Sequence, residues 1–479
     1  MKAGTTLSEV PNNECNGGTV SRRALIAGAT AGGLAALLPA GAAAAGSGSS
    51  AGSSPPANAP GANPGTGPKG SSINFFSDSG LNFQTLFAIA AAAYGASELG
   101  EVLTAVDQIH ARGSSYRAFY EVFLALGRRV RARGDAAARA GHRVTARDCY
   151  LRAAMYLDQA EFFVLASSTP TRAQEARVYR EMEGSFAAAA ARFRPAFQRV
   201  EIPYQRGRPL PGWLLTPPGP PIRRPTIILT NGSDGQNVDL FIYGGAAALE
   251  RGWNALIFEG PGQGSMLFLH NLPFRPDWEK VITPIVNWLR RRPDVDRRRI
   301  SLAGVSFGGY LAPRAAAFEH RLAAVVADPG VTDAFVSWSG SLPSNMLGWL
   351  KHHQRAQFDH YWREALPFLS GEEKFQIAKR AEIYGNRSFY DQMQLARKFV
   401  LNPAITGRVK APAIITAPQG ENFFPGQSRI LNRWIRSRPH ALAPFYATEG
   451  AQFHCEPMAP TVRNDTVFDW LESNLRPVG

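Results

Sequence analysis

Residues 198–479 predict an α/β architecture, a mostly parallel, doubly wound sheet covered by helices on both faces. The first sign is alternation. Short, near-continuous apolar runs at Thr226–Thr230, Asn254–Phe258, Leu322–Ala327 and Ala413–Thr416 are separated by stretches of helical periodicity, as strands buried on both faces require. The second is Gly304-Val305-Ser306-Phe307-Gly308-Gly309, set between the apolar run Arg299–Ala303 and the Ala-rich run Tyr310–Ala317. A G-x-S-x-G pattern in that context reads as a nucleophile elbow, a sharp strand-to-helix turn that exposes a serine hydroxyl. The same five-letter pattern at Gly48-Ser49-Ser50-Ala51-Gly52 has neither strand nor helix beside it, so the flanking elements carry the inference.

The 479 residues, 45% hydrophobic and 19% charged, suffice for two or more domains with their own cores. The net charge of +14 is spread along the chain. Clusters such as Arg290–Arg292 and Arg297–Arg299 fall at an expected helix end and strand start, and no aromatic-interleaved basic motif accompanies them. Nucleic-acid binding is therefore not expected. Cys15, Cys149 and Cys455 are too dispersed for a disulfide framework or a zinc site, and Cys149 and Cys455 read as buried thiols. No metal site and no cofactor is expected.

Residues 1–45 read as an export segment. Ser21-Arg22-Arg23-Ala24-Leu25-Ile26 resembles a twin-arginine signal, an uncharged Ala/Gly/Leu run follows, and Ala40, Ala42 and Ala44 offer cleavage sites. The weak hydrophobicity of that run favours cleavage over retention as an anchor. The expected location is periplasmic or secreted, with no stable membrane anchor. Residues 46–72, rich in Gly, Ser, Pro and Ala, read as a disordered linker. Residues 73–197 carry apolar residues at helical spacing, notably Tyr116–Val130 and Ala146–Val164, and predict a helical domain.

Val200–Tyr204 and Leu210–Thr216 form an expected hairpin, and helices are expected over Val238–Arg251, Trp278–Arg292 and Thr461–Leu475. The last strand is placed at Pro444–Thr448. Residues 331–405 interrupt the alternation with helical sequence containing Phe335, Trp338, Trp349, Phe358, Tyr361, Trp362 and Phe368. They predict a helical cap whose aromatics form its own core and in part line a pocket.

A serine needs a base to take its proton, and the base needs a group to fix its tautomer. On an elbow of this kind the chain order is nucleophile, acid, histidine. His454, in the loop after the last expected strand, fits the base, whereas His110, His142, His270, His320, His352, His353 and His360 fall outside that slot and His440 precedes the strand. Glu421 is the carboxylate in the loop after Ala413–Thr416. Glu449 and Glu456 lie too near His454 in sequence to compete. The amide of Phe307 would donate to a developing oxyanion, with a second donor just past Asn231-Gly232 at Ser233 or, next, Asp234. Gly260-Pro261-Gly262-Gln263-Gly264 lacks the Lys-Ser/Thr ending of a phosphate loop and reads as a turn at the sheet's carboxyl edge.

These motifs, with Ala146–Phe163, Phe423-Phe424-Pro425-Gly426-Gln427 and Glu449-Gly450-Ala451-Gln452-Phe453-His454-Cys455, resemble the α/β hydrolases related to dihydroxypseudooxynicotine hydrolase and the fungal yellowish-green pigment hydrolases over residues 75–479. The resemblance implies an α/β-hydrolase fold and a Ser/acid/His site. It further implies cleavage of an ester or a ketone-adjacent carbon–carbon bond in a small aromatic or polyketide-like substrate, and a homodimer. Two features depart from the family: it usually carries aspartate where Glu421 stands, and its members are expected inside the cell. Two other readings stay open, a serine peptidase of the oligopeptidase kind and a non-catalytic binding protein on the same scaffold.

Overall fold

The computed structural model describes residues 74–475 except 169, 206, 341 and 386. The export segment, the linker, Cys15 and the Gly48–Gly52 match lie outside the described residues.

Among the described residues, five α-helices precede the first strand: α1 (Ser79–Ala90), α2 (Leu99–His110), α3 (Tyr116–Arg139), α4 (Arg143–Phe162) and α5 (Arg172–Ala190). Asp78, Ser115 and Thr171 cap α1, α3 and α5, each side chain accepting from a first-turn amide. Small residues let α3 and α4 approach closely, since a Cβ at Gly127 would fall 2.7 Å from Leu157. Helix α4 is the hinge of the architecture in packing terms. Cys149, Ala153, Tyr156 and Ala160 face the helical layer, whereas Tyr150, Ala154 and Met155 share a core with Trp213, Leu229 and Phe241 on the sheet side. That is why its face of small and aromatic residues is so broad.

Among the described residues the sheet has eight strands, in the order β1-β2-β4-β3-β5-β6-β7-β8. They are β1 (Gln198–Gln205), β2 (Arg208–Leu215), β3 (Arg224–Thr230), β4 (Asn254–Phe258), β5 (Val295–Val305), β6 (Ala324–Asp328), β7 (Ala413–Pro418) and β8 (His440–Phe445). Strands β1 and β2 pair antiparallel and β2 joins β4 antiparallel, while every other pairing is parallel. The reversal of strand order around β3 and β4 puts loop ends together at the carboxyl edge, where sites form in open α/β sheets.

Several boundaries differ from the sequence reading. Strand β8 begins at His440 rather than Pro444, and Ala447–Glu449 is a turn of 3-10 helix. Pro444 is tolerated because β8 is an edge strand with one side unpaired. Strand β6 runs on to Asp328, which becomes important below. The helix expected over Val238–Arg251 is broken into Asn237–Leu240, a π turn over Phe241–Gly245 and Ala246–Glu250. Its break is Gly244, at φ 146°, packed against Leu229. The arginine clusters flank α6 (Glu279–Leu289) and enter β5, with Arg292 and Arg299 paired to Asp294 and Asp296.

After β5 comes α7 (Gly308–Ala316), and the cap contributes α8 (Ser344–Lys351), α9 (Arg355–Ala365), α10 (Gly371–Glu382) and α11 (Phe389–Ala396). Helices α12 (Gln427–Trp434) and α13 (Pro460–Asn474) complete the fold. Trp338, Phe358 and Trp362 pack on Phe389 as the cap's own core. The cap also stands on the helical layer. Phe375 of α10 stacks on Phe163 at 5.4 Å, and the buried Lys379 ammonium lies 3.4 Å from the equally buried Glu161 carboxylate.

Candidate active site

Ser306 follows β5 at φ +60°, a conformation uncommon for a residue with a side chain. The turn is held from both sides: the Ser306 amide donates to the Asp328 carbonyl at 2.6 Å, and the Gly309 amide donates back to Ser306. A side chain at Gly304 would run into the backbone of Gly308, and one at Gly309 into Pro329. Those contacts explain the glycines of the motif. Asp328 is itself anchored, its carboxylate accepting from Thr416 Oγ1 and from the Arg463 guanidinium of α13, each at 2.7 Å.

His454, 148 residues from Ser306, and Glu421, 33 residues before His454, converge on Ser306 from separate loops. The imidazole Nε2 lies 2.9 Å from Ser306 Oγ, and Nδ1 lies 2.7 Å from Glu421 Oε2. Both side chains are about 6% exposed, so the pair acts in a low-dielectric setting where a charge-assisted hydrogen bond is strong. The other carboxylate oxygen, Oε1, accepts from the amides of Phe423 and Phe424 at 2.8 and 2.9 Å. Of the competing carboxylates, Glu449 is exposed. Glu456 is fully buried beside Asp328 and Arg463, and burial, then the Asp328 charge, push its carboxyl well above the usual range. The thiols of Cys149 and Cys455 are free and buried.

The loop after β3 closes over Ser306. A Cβ at Gly232 would sit 2.6 Å from Ser306 Cβ and 2.8 Å from the Phe307 amide nitrogen, so only glycine lets this backbone approach. Gln263 fixes the loop: its amide donates to the Asn231 carbonyl at 2.7 Å and its oxygen accepts from the Gly260 amide. Asn231 in turn donates to the Gln236 carbonyl. Gly260–Gly264 is thus a brace for the neighbouring loop. Ser233 and Asp234, next along it, are half-buried.

Sequence reasoning missed the roles of Gly232 and Gln263, although the density of Asn, Gly, Ser and Asp over 231–235 marked a tight turn. It also missed the cap-side wall. The Phe423 ring lies 4.7 Å from the His454 ring, 6.0 Å from Phe83 of α1, and under the Arg380 guanidinium of α10 at 5.3 Å. A separate groove of about 470 Å³ between α5 and the cap is lined by Arg172, Glu175, Trp362 and Phe389 and includes none of Ser306, Glu421 or His454.

A family model described as FrsA-like esterase matches residues 129–342. The chain belongs to the α/β-hydrolase family, and it is a hydrolase. It is 30% identical over 389 residues to hydrolase ORFZ of Pyricularia oryzae, an alignment covering 76% of this chain and 88% of that one. It is 31% identical over 388 residues to α/β hydrolase ucsC of an Acremonium species, covering 74% and 78%. Among solved structures, 2,6-dihydroxy-pseudo-oxynicotine hydrolase superposes with a TM-score of 0.60 at 18% identity, covering 81% of this chain and 95% of that one.

Proposed function

We propose that the protein is a serine hydrolase that cleaves an ester or a ketone-adjacent carbon–carbon bond in a small hydrophobic or aromatic carbonyl compound. The observation that carries this reading is the unbroken Ser306–His454–Glu421 hydrogen-bond chain. With its proton on Nδ1, shared with Glu421, the imidazole leaves Nε2 free to accept the Ser306 proton as Oγ attacks the carbonyl carbon. The amides of Phe307, opening α7, and of Ser233 donate to the oxyanion, each worth roughly 3 kcal/mol. His454 then protonates the departing alkoxide or enolate. Water, deprotonated by the same imidazole, releases the acyl group from Ser306. Phe83 and Phe423 supply an aromatic wall for the substrate.

The test is turnover of aryl esters alongside aromatic diketones by wild type and Ser306→Ala. The substitution should lower kcat by at least about a thousandfold and leave the thermal unfolding curve nearly unchanged. Turnover that persists in Ser306→Ala refutes the assignment. Which of the two panels is turned over decides between ester and carbon–carbon cleavage.

A further inference from the structure

Helix α10 carries two adjacent cations, Lys379 and Arg380, that project about 100° apart because a helix turns once in 3.6 residues. Lys379 faces the helical layer and is fully paired, with Glu161 at 3.4 Å and Glu382 at 3.3 Å. Arg380 faces the active site and is not paired. Among the described residues no carboxylate lies within 4.0 Å of it. Its contacts are the face of Phe423 at 5.3 Å and one long hydrogen bond, 3.5 Å, to the Ser337 carbonyl. Phe423 is also the ring that touches His454, so one aromatic side chain separates the guanidinium from the imidazole.

Ser306, Ser233, Asp234, Ser337, Arg380 and Phe423 are each half-buried. Arg380, Phe423, His454 and Ser306 form one continuous run of neighbours, at 5.3, 4.7 and 2.9 Å in turn. A guanidinium cannot shed its charge, and half-burying it with no carboxylate in contact is costly. Burial pulls the Arg380 pKa below its ordinary value, whereas hydrogen-bonded carboxylates hold Arg128, Arg275 and Arg314 above theirs. The carboxyl group whose charge acts on Arg380 is Asp234, and it opposes that fall. Burial lifts the Asp234 pKa, and the positive charges of Lys379 and Arg380 oppose that lift.

We propose that Arg380 binds an anionic oxygen of the substrate, so that the compound cleaved at Ser306 carries, besides its scissile carbonyl, a planar delocalised oxyanion: a carboxylate or the enolate of a β-dicarbonyl. The planar fork of a guanidinium matches either group bidentately. This deepens the serine-hydrolase reading and rests on it.

The experiment compares kcat/KM for three para-nitrophenyl esters, the neutral butyrate, the anionic hemiglutarate and the enolisable acetoacetate, in wild type, Arg380→Gln, Arg380→Lys and Ser306→Ala. The ratio of anionic to neutral kcat/KM should fall roughly 10- to 100-fold in Arg380→Gln, mostly through KM, with Arg380→Lys intermediate. Whichever of hemiglutarate and acetoacetate loses more identifies the carboxylate or the enolate as the partner. A ratio unchanged in both variants overturns the proposal, and so does an equal loss on all three esters. Turnover surviving in Ser306→Ala would instead remove the underlying hydrolase reading. Should Arg380→Gln fail to fold, competition in wild type decides. Hexanoate should inhibit neutral-ester turnover at least about tenfold better than hexanamide, and equal inhibition overturns the proposal.

Discussion

Glu421 divides its carboxylate between two tasks. One oxygen meets His454 Nδ1 and the other is clamped by two consecutive amides, those of Phe423 and Phe424. A side chain one methylene shorter cannot reach both. Glutamate where relatives of this kind are expected to carry aspartate is therefore matched to the local backbone. Two substitutions separate charge from reach. Glu421→Gln removes the acceptor that holds the imidazole tautomer and should lower kcat for an aryl ester by about 10³- to 10⁴-fold. Glu421→Asp keeps the charge but misplaces it by about 1 Å, a displacement that costs about 100-fold. Steady-state kinetics beside thermal unfolding check both, and an aspartate variant as fast as wild type would show that the clamp is dispensable. Glu421 was legible in the sequence because it is the only carboxylate in the loop after β7. The clamp was not, since backbone amides leave no trace in residue identity.

At the scale of elements, the elbow and the cap were unequally legible. The β5–α7 turn announces itself because its glycines answer steric demands that only glycine meets. Helix α10, Gly371–Glu382, carries charges of both signs and opens on a Ser370/Glu373 capping box. Nothing in that pattern tells that Lys379 and Glu382 are buried against α4 and α5 or that Arg380 turns inward. Burial of like and unlike charges is a tertiary outcome. Lys379 neutralises Glu161 and Glu382 at the seam between cap and helical layer, so removing it leaves the buried Glu161 carboxylate without its counter-ion, whereas Glu382 keeps Arg172 at 3.0 Å. Lys379→Met should destabilise the protein by about 3–5 kcal/mol. The double variant Lys379→Met/Glu161→Gln should recover part of that loss. Chemical denaturation measures both, and a single variant as stable as wild type would mean that water reaches the seam.

Across the whole molecule, a network of buried carboxyls ties the helical layer to the sheet. Glu183 of α5 accepts from Trp213 Nε1 and Asn237 Nδ2, and Asn237 Nδ2 also lies 3.1 Å from Glu259 at the end of β4. Burial, and next the charge of Glu259, raise the Glu183 carboxyl from 4.5 to about 8. The folded state therefore holds a proton that the unfolded chain has released. The stability this contributes is fully present below pH 4.5 and is lost as the pH rises through about 8. Glu175, likewise pushed to about 8 by burial, acts with the same sign. The melting temperature should fall between pH 5 and pH 8.5, and Glu183→Gln should flatten part of that fall. An identical slope in the variant would remove Glu183 from the account. The parallel sheet, the helical layer and the cap were readable from periodicity, and the meeting of Ser306, Glu421 and His454 from their places after β5, β7 and β8. Strand β8 was misplaced by four residues at its start because a proline on an edge strand looks like a break, and the helix after β3 was read as continuous because Gly244 alone did not signal its kink. The most direct measurement of the central claim, that Ser306 is a nucleophile activated by His454 and Glu421, is labelling of the folded protein by a fluorophosphonate, followed by intact-mass and peptide mapping. One adduct on Ser306 is predicted, absent in Ser306→Ala and strongly slowed in His454→Ala. Undiminished labelling in Ser306→Ala, or no adduct in a wild-type protein that turns over esters, would contradict it.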